Sequence, residues 1–144
     1  DFSRAIDCFS QALQRAEDNV VALIYRAITY LAIKDNKHAT ADALRLVEFA
    51  PEWAKKGKKI GWLKKKGKIN TVKQKRWFVL HDRFLYYYEK QDDLRPKGVI
   101  SVRGATVTSP QHLNVCIQSF DRSYSLYTKH QAEFDAWFSI LQVH

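Results

Sequence analysis

The residues best suited to chemistry in this chain are the cations of one segment, residues 54–80. Between residues 54 and 76 the sequence has ten lysines, one arginine and no acid. Residues 1–53 carry six basic and eight acidic side chains, and residues 77–144 carry seven of each. The formal net charge of +9 therefore arises from this one segment, and so local a concentration of cations indicates an anionic partner.

Other kinds of chemistry find little support in the sequence. Its five histidines are scattered and form no metal-ligand spacing such as HExxH, and it has neither a glycine-rich phosphate loop nor a GxSxG motif. Cys8 and Cys116 are too far apart to suggest a disulfide scaffold or a zinc site. We therefore expect no enzymatic activity, no metal and no cofactor.

Three amphipathic helices are predicted in residues 1–50. Each contains apolar residues at spacings of three and four, which form one stripe along a helix. Asn19 and the Asp35-Asn36 pair fall between the stripes, where residues that cap helices are expected. The first and third stripes match at a constant offset of 34 residues, which is the period of a helical-hairpin repeat.

This pattern resembles the tetratricopeptide repeat (TPR). The residues that carry the resemblance are AIDCFSQAL from Ala5, YRAITYLAI from Tyr25 and ADALRLVEFAP ending at Pro51. The resemblance implies one and a half repeats, with Pro51 at the start of a short fourth helix. Because a helical hairpin buries its apolar face only against neighbours, we expect the helices to pack on the rest of the chain in a fixed arrangement.

After Gly61 the period of the apolar residues changes to two, which predicts strands. Seven are expected, separated by clusters of turn-forming residues, near residues 60–66, 75–80, 84–89, 97–102, 104–108, 113–119 and 123–128. Residues 130–143 return to helical spacing. Seven short strands and a closing helix predict a small antiparallel barrel with one end plugged.

Alternation of side chains along the strands separates the cations into two sets. In the first predicted strand Leu63 must face the interior, and Lys65 lies on the same side. In the second strand Arg76 shares the inward side of Phe78, and Tyr87 is inward on the third. A lysine and an arginine cannot lie in an apolar core, so the barrel must be open at this end, which we call the mouth.

The remaining lysines of the segment lie around the mouth or point away from it. The turn between the first two strands supplies Lys68 and Lys73, which we predict to contribute to the same site. Lys64 and Lys66 have the outward parity. They form either a solvated face or a collar that touches an anionic membrane surface.

Residues 58–144 resemble the pleckstrin-homology (PH) domain. The fold class implied is α+β: a three-helix TPR-like segment, residues 1–57, followed by a seven-stranded antiparallel PH barrel closed by a C-terminal helix. The residues that carry the resemblance are GWLKKKGK from Gly61, KRWFVL from Lys75, FLYYY from Phe84, KGVISV from Lys97, RSYSLYT from Arg122 and Trp137.

The resemblance also implies a ligand. PH domains that bind phosphoinositide headgroups use a lysine four residues after the glycine of the first strand and an arginine before a Trp-Phe pair. They add a tyrosine in the third strand and a basic residue before the glycine of the fourth. These positions are Lys65, Arg76, Tyr87 and Lys97 here, a combination similar to members that prefer inositides phosphorylated at the 3-position. The family motif also has a basic residue two positions before the arginine. In this sequence that position is occupied by Gln74.

The function implied is a non-enzymatic adaptor that is cytoplasmic and is recruited to phosphoinositides at the inner face of the plasma membrane or on endosomal membranes. A protein partner could use the TPR-like helices. An alternative is a protein-protein interaction platform with a weak or vestigial lipid pocket. Binding of nucleic acid by the basic segment is a third hypothesis, and it is disfavoured because the strand aromatics follow no RNA-binding signature.

Overall fold

The computed structural model of the chain describes residues 1–67 and 72–142. Within these residues it has five helices and seven strands, and no helix long and apolar enough to cross a bilayer. In chain order they are α1 (Phe2–Arg15), α2 (Val20–Ala32), α3 (Asn36–Phe49), α4 (Pro51–Lys55), β1 (Lys59–Lys66), β2 (Lys73–His81), β3 (Phe84–Tyr88), β4 (Gly98–Ser101), β5 (Thr106–Thr108), β6 (Asn114–Gln118), β7 (Ser123–Tyr127) and α5 (Gln131–Gln142).

The helices begin where the sequence places capping residues. The Asn19 side chain accepts a hydrogen bond from the Ala22 backbone N–H at 3.1 Å, and Asp35 accepts one from the His38 N–H at 3.2 Å. These bonds satisfy backbone donors that have no partner within the first turn of a helix. Pro51 occupies the first turn of α4, so the short fourth helix is present as predicted.

The seven strands form one antiparallel sheet in the order β4-β3-β2-β1-β7-β6-β5. Its inner face and α5 enclose a core to which both ends of the sheet contribute, so the sheet curls around it. Trp137 and Leu141 of α5 are buried in this core. The other buried members are Leu63, Phe78, Leu80, Leu85, Ile100, Val102, Val115, Ile117, Tyr124 and Leu126. This is the predicted α+β fold of helices, antiparallel sheet and closing helix.

A second core joins the helical segment to the outer face of β2 and β3. Tyr86 is fully buried there, and its hydroxyl donates to the Ala43 carbonyl oxygen at 3.3 Å. The Ser101 hydroxyl donates to the Asn36 side chain at 2.8 Å, and the rings of Trp53 and His81 stack with centroids 3.9 Å apart. Because alanines line the contact face of α3, the helix backbone lies close to the sheet.

The burial of β3 on both faces explains why FLYYY is apolar and aromatic throughout. Leu85 faces the inner core, whereas Phe84, Tyr86 and Tyr88 face the helices. A strand with only one buried face would alternate between apolar and polar residues. The helical segment is therefore part of the packing of the sheet.

Replacing Tyr86 tests this packing. We expect Tyr86→Ala to lower the free energy of unfolding by about 3–5 kcal/mol, the usual cost of deleting a buried ring. Tyr86→Phe keeps the ring, loses one hydrogen bond and should cost about 1 kcal/mol. Urea unfolding followed by circular dichroism measures both changes. A cost of Tyr86→Ala no larger than that of Tyr86→Phe would contradict the buried interface.

Candidate functional site

The predicted mouth is present as a cavity of about 240 Å³ at the open end of the sheet. We call it the mouth cavity. It brings together Lys65, Arg76, Tyr87 and Lys97, which come from three strands and from the residue before β4. Gly67 and Gln74 complete its wall, and none of the described residues that line it is an acid.

Strand register explains why these side chains meet. In the β1–β2 ladder Leu63 lies opposite Arg76, and Lys65 lies opposite Gln74. Tyr87 of β3 is the partner of Phe78, two residues farther along the inner side of β2. The cations therefore follow the core residues on the inner face, at the point where the sheet opens to solvent.

Lys65 is partly buried in the mouth cavity, between two aromatic rings. Its ammonium lies 4.9 Å from the centroid of the Tyr87 ring and 5.9 Å from that of Tyr124. Burial lowers the pKa of Lys65, and the nearby charges of Arg122 and Arg76 lower it further. Lys65 makes no ion pair with any residue the structure describes. The folded chain thus holds a positive charge that its surroundings disfavour.

Neutral groups hold the guanidinium of Arg76. Its Nη1 donates to the Lys75 carbonyl oxygen at 2.9 Å, and its Nη2 donates to the Gln74 side-chain oxygen at 2.7 Å. These bonds orient the side chain without neutralising it. Lys97 differs, because its ammonium lies 3.5 Å from the Glu89 carboxylate in an exposed ion pair. Such exposed pairs contribute little and can exchange readily for another anion.

Tyr87 supplies an uncharged donor. Burial raises the pKa of Tyr87, although the nearby Arg122 opposes the rise, so the phenol keeps its proton at neutral pH. Gly98 lies directly across the ladder, and a side chain there would collide with the phenol. The glycine of the fourth strand therefore makes room for the tyrosine that faces the mouth cavity.

Arg122 acts electrostatically on two residues of the mouth cavity, and the sequence analysis did not include it in the predicted site. Its guanidinium lies 4.3 Å from the centroid of the Tyr124 ring, and its charge shifts the pKa of both Lys65 and Tyr87. It precedes β7 and has the same parity as the inward Tyr124. That signal was available in the sequence, but its use requires the pairing of β7 with β1, which joins distant parts of the chain.

The structure does not place the remaining predicted lysines in the wall of the mouth cavity. Lys73 does not reach the mouth cavity, because the β1–β2 ladder runs without a bulge and turns it to the opposite face, where its ammonium lies 3.7 Å from the Tyr127 ring. Lys64 and Lys66 are exposed on that same outer face, as their parity predicts. Lys68 lies outside the described residues, so its predicted contribution remains a prediction.

Removing the charge of Lys65 should stabilise the fold. We expect Lys65→Met to raise the midpoint of thermal unfolding at pH 7 slightly, because the variant keeps the aliphatic stem and loses the burial cost of the charge and its repulsion by Arg122 and Arg76, both of which solvent partly screens. The folded pKa of Lys65 lies below its ordinary value of 10.5. As pH rises through that folded pKa, Lys65 loses its proton and the wild type is no longer destabilised by the charge. The difference in unfolding midpoint between the variant and the wild type should therefore disappear at alkaline pH.

Differential scanning fluorimetry at several pH values measures this effect. Lys37→Met, on the exposed side of α3, is the matched control and should show no such pH-dependent gain. A Lys65→Met protein that is less stable than the wild type at neutral pH would contradict the electrostatic account of the mouth cavity.

Comparison with known proteins places these features in a family. The family model of the PH domain matches residues 57–143, more than half of the chain. Human Rho GTPase-activating protein 25 is 33% identical over 99 residues, which are 58% of this chain and 15% of that protein. Human pleckstrin is 40% identical over 50 residues, which are 35% of this chain and 14% of pleckstrin. The chain thus spans only a small part of these relatives.

A solved structure also resembles this chain. The crystal structure of the C-terminal PH domain of pleckstrin in complex with D-myo-Ins(1,2,3,4,5)P5 is 31% identical to this chain, with a TM-score of 0.54. The match covers 60% of this chain and 95% of that domain. The family model, the seven-stranded antiparallel sheet and the closing helix together establish that the chain belongs to the PH domain family.

Proposed function

We propose that this chain is a non-enzymatic membrane-targeting module that binds phosphoinositide headgroups in the mouth cavity. The observation that carries the proposal is the convergence of Lys65, Arg76 and Lys97 around a cavity whose described wall residues include no acid, with the charge of Arg122 near enough to act on Lys65. Such a cluster of cations destabilises the folded state when no anion is bound. A bound anion would remove that cost. The complex of the pleckstrin PH domain with an inositol pentakisphosphate supports this class of ligand.

The donors of the mouth cavity suit a ligand with several phosphates. The guanidinium of Arg76 offers a planar fork for two phosphate oxygens, whereas Lys65 and Lys97 act as point charges. Tyr87 donates one neutral hydrogen bond. Because these groups lie on different strands, a ring with phosphates on more than one carbon would engage them together.

The proposed headgroup is phosphorylated at the 3-position. This follows the family pattern, in which the residue types found at Lys65, Arg76, Tyr87 and Lys97 occur together in members with that preference. Gln74 lies opposite Lys65 in the register and takes the place of a further cation. We therefore propose that the mouth cavity combines charge with amide hydrogen bonding at this point.

The proposed location is the cytoplasm, with recruitment to the inner face of the plasma membrane or to endosomal membranes. Lys64 and Lys66 are exposed beside the mouth cavity and would form a collar against anionic lipids. Each cation near such a surface contributes about 1 kcal/mol, which is reduced by salt.

The helices are proposed to be a TPR-like scaffold of residues 1–57. Their packing on β2 and β3 supports the bracing role. A protein partner could use the side of α1 and α2 away from the sheet, where Phe9 and Tyr25 stack 5.9 Å apart and Tyr25 remains 53% exposed. The alternative of a protein interaction platform rests on this exposed surface, and its partner would bind independently of Arg76.

Liposome co-sedimentation with membranes that differ only in the position of the inositide phosphate tests the proposal. We expect the wild type to prefer 3-phosphorylated inositides. Arg76→Gln should weaken this binding by at least about 2 kcal/mol, or about 30-fold, because it removes charge-assisted bonds to phosphate.

Arg4→Gln is the matched control, since it removes one exposed arginine from α1, far from the mouth cavity. Thermal unfolding should show that both variants are folded. Equal binding by the Arg76→Gln protein and the wild type, or no dependence on phosphate position, would contradict the proposal and favour the interaction platform.

A further inference from the structure

The loop between β3 and β4, residues 89–97, connects the mouth cavity to the helical segment. At one end of the loop Lys97 lines the mouth cavity. Most of the loop is exposed to solvent, and none of its residues is buried. A loop with so little buried surface is held mainly by its hydrogen bonds and ion pairs. Those contacts therefore influence where Lys97 lies when no ligand is bound.

One of these contacts comes from a residue that precedes the match to the PH family model. The ammonium of Lys55, the last residue of α4, donates to the Gln91 carbonyl oxygen at 2.8 Å. The same ammonium lies 3.9 Å from the centroid of the Tyr88 ring. Tyr88 is fully buried between the sheet and the helices, so its ring is a fixed support for the lysine. Lys55 thus contacts the chain on both sides of Glu89.

Charge also joins α4 to the loop. Burial lowers the pKa of Lys55. The carboxylates of Asp93, Glu52 and Asp92 oppose this shift, so two acids of the loop act on the ammonium. The Asp93 carboxylate also accepts a hydrogen bond from the Lys90 N–H at 3.1 Å, which closes a turn within the loop. Lys55 therefore offsets negative charge in a loop that borders the site for an anion.

Glu89 relates the contacts of Lys55 to the mouth cavity. It lies in sequence between the two residues that Lys55 contacts, and its carboxylate lies 3.5 Å from the Lys97 ammonium. The Lys97 N–H donates to the Tyr87 carbonyl oxygen at 2.7 Å, so the ladder fixes the backbone of Lys97. The Lys97 side chain has its ion pair with Glu89 instead. A movement of the Glu89 backbone would therefore displace the Lys97 ammonium.

We propose that Lys55 is a positioning residue for headgroup binding: α4 braces the β3–β4 loop so that Lys97 is held in the wall of the mouth cavity before the ligand arrives. The inference rests on the proposed function of that cavity. A cation that is already in place binds more tightly, because binding does not have to restrict its freedom. The helical segment thereby contributes to the headgroup site, although none of the described wall residues comes from it.

Isothermal titration calorimetry with soluble inositol tetrakisphosphate tests the effect on the site. We expect Lys55→Met to weaken binding about tenfold, because it keeps the aliphatic stem over Tyr88 and loses one charge-assisted hydrogen bond to the loop. Lys55→Arg keeps the charge and a donor, and it should restore most of the affinity. Lys56→Met is the matched control, since it removes the same charge from the next, exposed residue and should bind as the wild type does.

Amide hydrogen exchange of the free proteins measures the bracing itself. Lys55→Met should speed exchange in residues 89–97 and leave exchange in β6 and β7 unchanged, which also shows that the variant is folded. Weaker binding without faster exchange in this loop would overturn the positioning role. An equal loss of affinity in Lys56→Met would overturn it too, because the effect would then be one of net charge.

Two outcomes separate this inference from the proposed function. If the wild type did not bind the inositol phosphate, both would be contradicted. If Arg76→Gln weakened binding and Lys55→Met did not, the inference alone would be overturned and the proposed function would be supported.

Discussion

Positive charge is crowded onto both faces of the β1–β2 hairpin, and the fold brings too few acids to neutralise it. On the inner face burial lowers the pKa of Lys65, and the charges of Arg122 and Arg76 lower it further. On the outer face lysine lies opposite lysine in the register. A hairpin with such a register is unfavourable by itself, so the rest of the fold has to hold it in place.

The stabilising contacts lie away from these cations. Trp137 and Leu141 of α5 close the inner core, and Tyr86 joins the outer side of the sheet to Ala43 of α3. This division lets one end of the sheet remain open and charged while the other elements supply the buried apolar surface. It is the usual relation between a binding site and its scaffold, in which local strain is offset by packing elsewhere.

Local alternation made much of the site predictable. Lys65, Arg76 and Tyr87 could be placed on the inner face because each shares a strand with a core residue only two positions away. Arg122 could not be placed in the same way, because its position depends on the pairing of β7 with β1. Lys73 illustrates the opposite error: nearness to the turn suggested the mouth cavity, but strand parity turns it outward.

The central claim is that the charge of Lys65 is held at a cost that an anionic headgroup relieves. NMR titration of the Lys65 side chain, with and without a soluble inositol phosphate, measures this directly. The account predicts a pKa below 10.5 in the free protein and a clear rise in the complex. A free pKa at or above 10.5, or one that ligand leaves unchanged, would contradict it.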